Sequence, residues 1–445
     1  MMRSLHLDLR IRLESPEDSR LDEILDADKI PHHAFLPFIE FTKITRRYRK
    51  LEDGSRQSED KSRKLCYASH KDSLVYSWYA RLLGSLYEAH LTKKPFASSV
   101  IAYRHIPRLD SPRGGRSNIH FAKEVFNSIL EIGECTVLTF DVKDFFPTID
   151  HLQLKEMWCS IIDEDQLPED HYNVFYSLTH FSIVKMDALL VHFGAGVGKQ
   201  KKQFPDERKG RICSAQELRD FRKLTFEGHK SVEQHHEDCG IPQGSSMSGL
   251  LSNIFMLDFD EAVYAEVTRL GGKYWRYSDD IAIVLPTGAD IKTLDEFVRV
   301  EGKNKKLNLH GVEKSATIKF SQTPKGVRST EEALDYLGFR FDGEKILLRD
   351  KTIARFFRRM SNAVRAEVSR ANKYDGRINV RKLQRDFTHQ GTRSKERRNF
   401  LTYAKNASVT TESVEIKEQV SHAASILQKK IAKRRARYKR WSGSQ

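Results

Sequence analysis

The chain has 445 residues, with 76 Lys+Arg against 61 Asp+Glu, a formal charge of +15 and 10% aromatic residues. That length supports two or three domains with proper cores, and no stretch approaches the roughly 18 apolar residues of a membrane helix, which excludes a transmembrane role. The charge is uneven: residues 351–445 hold 25 Lys+Arg against 7 Asp+Glu, a net +18, and leave −3 for residues 1–350. A basic quarter of this kind points to a polyanionic partner, nucleic acid above all.

The N-terminal stretch MMRSLHLDLRIRLESPEDSR lacks the apolar core of a secretion signal. The five cysteines (Cys66, Cys135, Cys159, Cys213, Cys239) contain no CxxC pair and build neither a disulfide framework nor a zinc site. A reduced, cytoplasmic protein with no membrane partner is expected.

Along the chain, residues 50–64 (KLEDGSRQSEDKSRK) are polar and read as a loop. Residues 64–92 carry Leu65, Tyr76, Tyr79, Leu82, Leu83, Leu86 and Leu91 at mostly helical spacing. A second break, PRLDSPRGGRS, spans 107–117, and TVLTFDV at 136–142 reads as a strand ending in a carboxylate. A third break, 194–210, is Gly- and Lys-rich. Its GAGVGK has Phe193 where a phosphate loop needs glycine and Gln200 where it needs Ser or Thr. HHEDC at 235–239 holds metal-ligand types with no partner pair at a usable spacing. Residues 247–267 are apolar nearly all round and predict one buried helix after a Pro-Gln-Gly turn. KYWRYSDDIAIVLP predicts a hairpin with Ser278, Asp279 and Asp280 at its tip, followed by a helix at 290–307 and a strand at 315–320. The fold class expected is α+β, with helices on one face of the sheet. Two stripes follow, Ile353, Phe357, Met360, Val364, Val368 and Val420, Ala424, Leu427, Ile431, each backed by Lys and Arg, as in basic amphipathic helices.

Three acids at strand ends, Asp141, Asp279 and Asp280, repel one another unless something offsets their charge. Taken alone, an Asp-Asp pair is more often a polar turn. Converging at one sheet end, the three make a hard-oxygen set suited to Mg²⁺, and two such ions about 3.5–4 Å apart serve nucleotidyl transfer.

The surrounding motifs resemble those of reverse transcriptases. FDVKDFFPTID (140–150), GIPQGSSMSGLLSNIF (240–255) and YSDD (277–280) are similar to the first three palm motifs, LNLHGVEKSATIKF (307–320) to the fourth and YLGFRF (336–341) to the fifth. AYRHIPRLDSPRGGRSNIHFA (102–122) is similar to the finger motifs. The resemblance covers residues 65–342. It implies a right-hand polymerase: an N-terminal extension (1–64), fingers (65–135), a ferredoxin-like palm (136–342) with an insertion at about 150–238, and a basic helical thumb with its extension (343–445).

Carried over by position, the resemblance makes Asp141, Asp279 and Asp280 the catalytic acids. With the Val142 carbonyl they would hold two Mg²⁺ ions, for which Mn²⁺ could substitute. Phe146 becomes an aromatic gate against a 2′-hydroxyl, and Gln243 and Gly244 lie against the nascent base pair. From their loop context, Arg104 and Arg116 are candidates for triphosphate contacts, with the RNA backbone as the alternative, and Lys314, at the lysine of the fourth motif, would serve the departing pyrophosphate or stand as a solvated lysine. Tyr277 and Gly338 would touch nucleic acid, as would Arg355, Arg358 and Arg359, which lie beyond the resemblance on the first basic amphipathic stripe.

The segment SHKDSLVYSWYARLLGSLYEAH (69–90) looks like bacterial stand-alone enzymes of the abortive-infection and unknown-group classes tied to phage defence. Retron enzymes are the nearest relatives, but their Val-Thr-Gly motif is not found and NIHFA departs from their Asn-Ala-x-x-His. The implied partners are an RNA template, specifically a dedicated noncoding RNA, dNTPs, the DNA product, and a second copy or an accessory defence protein. A retron-type enzyme, protein-primed synthesis without template and a non-catalytic RNA-binding scaffold are the alternatives.

Overall fold

The computed structural model describes residues 6–9, 11, 18–50, 54–108, 111–194, 211–226, 228–310, 317–324, 326–374, 377–393 and 398–442. After a short helix α1 (Ser19–Ile24), strands β1 (Phe38–Lys50) and β2 (Arg56–Tyr67) pair as a long antiparallel arm, with Lys43 opposite Arg63. Most of the polar 50–64 segment is therefore strand rather than loop. Both faces of its outer part meet water (Lys43, Ile44, Lys61 and Arg63 are all exposed), so no apolar alternation marks it. Helix α2 (His70–Leu91) follows, capped by Ser69, whose hydroxyl accepts from the Asp72 amide at 3.1 Å.

The 107–117 break is a small hairpin, β3 (Pro107–Arg108) and β4 (Ser111–Gly115), leading into α3 (Asn118–Ile132) and β5 (Cys135–Lys143). Then come α4 (His151–Ile162), α5 (Glu169–Thr179), β6 (Ser182–Lys185), α6 (Met186–His192), α7 (Ala215–Phe221), β7 (Thr225–Phe226), β8 (His229–Lys230) and β9 (Val232–Gln234). Most of GAGVGK lies outside the described residues. Strands β6 and β9 extend the arm into a sheet of order β2-β1-β6-β9. The N-terminal extension and the insertion thus share one small core of Leu7, Ile39, Val184, Leu189, Ile212 and Phe221.

The predicted helix at 247–267 is two, α8 (Ser248–Phe255) and α9 (Leu257–Arg269), which meet at Met256 (φ −91°, ψ 3°). Strands β10 (Lys273–Tyr277) and β11 (Asp280–Pro286), helix α10 (Ile291–Asn304), and strands β12 (Asn308–Leu309), β13 (Thr317–Thr323) and β14 (Gly326–Ser329) complete a central sheet of order β10-β11-β5-β13-β14, with β12 on the end of β5. A small sheet of β15 (Leu334–Tyr336), β16 (Phe339–Phe341) and β17 (Ile346–Leu348) precedes the C-terminal helices α11 (Asp350–Lys373), α12 (Val380–Phe387), α13 (Phe400–Thr411), α14 (Val414–Ser421) and α15 (Ala423–Ser442).

The expectation of helices on one face is corrected. Along β5 and β11, Leu138, Phe140, Val142, Ile281, Ile283 and Leu285 join a core with α2, α4, α8, α9 and α10. The alternate residues Val137, Ala282 and Val284 join another with α3 and the C-terminal helices. Strands buried on both faces become nearly continuous apolar runs, which is what TVLTF and IAIVL are. Both C-terminal stripes face this second core, although the second crosses the α14–α15 break and Ala423, not Ala424, is the buried alanine.

Candidate active site at the open end of the central sheet

Two central strands carry the acids. Asp280 opens β11 and stands in register opposite Asp141, near the end of β5. The Val142 amide donates to the Asp279 carbonyl (3.1 Å), so Val142 and Asp279 form the hydrogen-bonded pair and Asp141 and Asp280 the adjacent non-hydrogen-bonded one. That is the closer of the two antiparallel geometries, with Cα atoms about 4.5 Å apart. Because the N–H and C=O of a strand residue share an edge, the Val142 carbonyl also faces the Asp279 turn. Ser278, at φ +60°, and Asp279 make the two-residue turn.

Like charges directly opposite one another are destabilising. Burial, reinforced by Asp279 and then Asp141, pushes the Asp280 carboxyl up to about 7, against the pull of Arg349 and Arg63. The residue is nonetheless exposed to solvent, so the repulsion by Asp279 and Asp141 is the firmer cause. Neither Asp279 nor Asp280 makes a side-chain ion pair or hydrogen bond among the described residues, whereas Asp141 Oδ2 lies 3.5 Å from His310 Nε2. The His310 amide also donates to the Asp141 carbonyl at 2.9 Å. An oxygen-rich set of like charges fits a hard divalent cation. The three carboxylates do not gather within 4.8 Å of one another as His6, Asp8 and His70 do elsewhere.

The raised Asp280 value sets a sign. The metal-free fold favours the protonated carboxyl, so this group's contribution is full below pH 4 and lost as pH rises through about 7. Asp280→Asn is expected to raise the melting temperature at pH 8, with the gain vanishing near pH 4. A lower melting temperature at pH 8 would show that the acids do not repel.

The Pro-Gln-Gly turn forms the adjoining wall. The Cys66 amide on β2 donates to the Gln243 carbonyl (2.8 Å), and Ser248 Oγ donates to the Pro242 carbonyl (2.6 Å). Gly244 has φ +122°, and a Cβ there would meet the Cys66 carbonyl oxygen at 2.4 Å, so only glycine fits. Phe146 is half-buried beside Phe145, and its carbonyl accepts from the Ile241 amide (3.0 Å), which ties the gate position to this turn. HHEDC serves the same turn: His235 donates from Nε2 to the Cys239 carbonyl and His151 from Nε2 to the Gly240 carbonyl, each at 2.7 Å.

Beneath the hairpin, Arg276 on β10 is fully buried. It donates to both oxygens of Asp260 on α9 (2.7 and 2.6 Å), to Asn253 Oδ1 (3.2 Å) and to the Ser278 carbonyl (3.3 Å). Tyr274 donates its hydroxyl to Asp260 as well (2.6 Å). Burial alone would lower the Arg276 pKa, but Asp260 holds it above its ordinary value.

Other predicted residues divide. Arg104, expected at the triphosphate, gives its guanidinium to Glu88 (2.8 and 2.7 Å) and to the Ala97 and Val100 carbonyls (2.5 and 2.6 Å). Arg116 pairs with Glu124 and lies over the Phe121 ring (4.9 Å), which in turn faces Tyr277 (6.4 Å). Tyr277 is half-buried beside the acids, and burial, then Tyr103 and Asp280, raises its pKa. Gly338 and Leu337, both at positive φ, form the two-residue turn between β15 and β16, and Asn118 Nδ2 donates to the Leu337 carbonyl (2.9 Å). Arg355, Arg358 and Arg359 are exposed on α11, opposite Phe356 and Met360. Lys314 lies outside the described residues. Sequence reasoning missed His310, Arg63, Arg349, Tyr103 (its hydroxyl 3.3 Å from Ser278 Oγ) and the Arg276–Asp260 pair. His310 and Tyr103 carried a signal, their places in the fourth motif and in the finger motifs.

Residues 199–341 match the family model described as reverse transcriptase (RNA-dependent DNA polymerase), a span that includes Gln243, Gly244, Tyr277, Asp279, Asp280 and Gly338 but not Asp141 or Phe146. No curated protein matches the chain. Among solved structures, it is similar to apo telomerase from Candida tropicalis truncated from its C-terminal domain, at 12% identity over 76% of this chain and 63% of that one, TM-score 0.41. It is also similar to telomerase from Candida albicans in complex with the TWJ fragment of telomeric RNA, at 11% identity over 90% and 65%, TM-score 0.39. The chain thus spans less than two thirds of the length of either, and at these TM-scores neither likeness defines its fold.

Proposed function

We propose that this chain, whose residues 199–341 match the reverse transcriptase family model, is an RNA-directed DNA polymerase that extends a 3′-hydroxyl with dNTPs on an RNA template. In this reading the central sheet with α8, α9 and α10 is the palm, residues 65–135 are the fingers and the C-terminal helices are the thumb. The observation that carries it is the in-register Asp141–Asp280 pair with Asp279 at the adjoining turn, three like charges on neighbouring positions of one strand pair, together with a glycine turn that admits no side chain.

Asp141, Asp279, Asp280 and the Val142 carbonyl would hold two Mg²⁺ ions, which supply activation of the 3′-hydroxyl and charge stabilisation of the leaving pyrophosphate. The protein's own contribution is placement. Gln243 and Gly244 present backbone to the new base pair. Arg116 and Lys314 offer cations to the triphosphate, and Tyr277 and Gly338 line the primer side. Arg355, Arg358 and Arg359 grip duplex phosphates by shape, with affinity falling steeply as salt rises.

Phe146 sets sugar selectivity. Phe146→Ala is expected to admit ribonucleotides, and unchanged discrimination between dNTPs and rNTPs would remove the gate. The biological reading is antiphage defence with a cognate noncoding RNA, resting on the 69–90 segment. Sequencing the nucleic acid that copurifies, alongside Mg²⁺-dependent dNTP incorporation, tests the whole proposal. RNA paired with complementary DNA supports it, product without complementary RNA would mean template-free synthesis, and no incorporation would mean a binding scaffold.

A further inference from the structure

Far from the acids in sequence, the N-terminal segment brings a second ligand group together. His6, Asp8 and His70 each place a ligand atom within 4.8 Å of the others, and all three are partly buried. Asp8 alone has an ordinary explanation. Its carboxylate accepts from the His70 and Lys71 amides (2.9 Å each) at the start of α2 and from His70 Nδ1 (3.0 Å), where a helix N-terminus favours an anion.

That explanation leaves His6 unaccounted for. Its ring packs 3.7 Å from that of His70, tilted by 35°, a pairing that two imidazolium charges would oppose. Its Nδ1 is buried with no hydrogen-bond partner among the described residues. A buried polar atom without a partner is costly, and a bound cation would satisfy it.

We propose that His6, Asp8 and His70 form a structural site for one divalent transition metal of the zinc class, with water in the fourth position. Two imidazoles and one carboxylate suit such an ion better than they suit Mg²⁺. The metal fastens two stretches of chain and a hydrogen bond adds a third. Residues 6–8 and the first turn of α2 supply the ligands, and the insertion joins through the Ile212 amide, which donates to the His6 carbonyl (2.8 Å). The staple sits just past Cys66, where β2 meets the Gln243 carbonyl, and so steadies one wall of the cleft without taking part in its chemistry.

The test uses the full chain, stripped with chelator and titrated with Zn²⁺ or Co²⁺ in excess Mg²⁺, so that the hard ion occupies the sheet-end acids. The expected result is one tightly bound equivalent, a raised melting temperature and the visible absorption of four-coordinate Co²⁺. His6→Gln, His70→Gln and Asp8→Asn should each weaken binding by more than the roughly 10- to 100-fold that a supporting residue alone is worth. Circular dichroism identifies the folded variants, and any one of the three that folds suffices. Should none fold, metal content and Co²⁺ absorption of the unsubstituted chain decide. Absence of binding and of a thermal shift there, or unchanged binding in a folded variant, would overturn the proposal.

Discussion

Asp279→Ala is expected to reduce Mg²⁺-dependent dNTP incorporation on the order of 10³-fold or more, since each tenfold is about 1.4 kcal/mol and a polarising cation supplies several kcal/mol to the transition state. The loss should come without unfolding. Asp279 makes no side-chain ion pair or hydrogen bond among the described residues, and its charge is the second-largest cause raising Asp280. Removing it relieves repulsion, so the metal-free melting temperature should hold or rise while activity vanishes. Primer extension and a thermal melt on the same preparation check both halves. Activity within tenfold of the unsubstituted protein would sink the site assignment, and loss of activity with a large drop in melting temperature would mean that Asp279 is structural.

Asp141, Asp279 and Asp280 could be read from the sequence because local patterns fix them: a β-branched run ending in an acid, and two acids at a two-residue turn. What joins them is register, and β5 and β11 meet across more than 130 residues, so the direct Asp141–Asp280 opposition was visible only in the fold. The error on sheet coverage has a related cause. Apolar runs such as IAIVL fit a strand buried on both faces, but of the helices covering β11 on its second face, α3 adjoins β5 and α11 follows the whole sheet, so neither lies next to β11 in sequence. The arm of β1 and β2 escaped notice because a solvated hairpin needs no apolar period. Arg104 shows the limit for single cations: an arginine in a loop promises phosphate binding until its partner is known, and Glu88, sixteen residues earlier on a helix, cannot be paired with it by spacing alone.

Arg276→Met is expected to lower stability by about 3–5 kcal/mol, because it leaves the Asp260 charge fully buried and unpaired. A lowered melting temperature and denaturant midpoint measure this. The double variant Arg276→Met/Asp260→Leu separates charge from geometry. Replacing both members of a buried pair by apolar groups removes the stranded charge, and the remaining penalty should be about 1–3 kcal/mol for the Tyr274 hydroxyl left without its acceptor. Stability should thus return in part. Catalysis should not, because Arg276 also donates to the Ser278 carbonyl and, through Asn253, links the turn carrying Asp279 and Asp280 to α8. A turn released from that anchor holds its acids less firmly, and preorganisation of charged groups is worth more in a site of this kind than any single contact. The expected signature is a fall in kcat with little change in KM for dNTP. A double variant as active as the parent would show that the network only packs the sheet against α9 and has no part in positioning the acids.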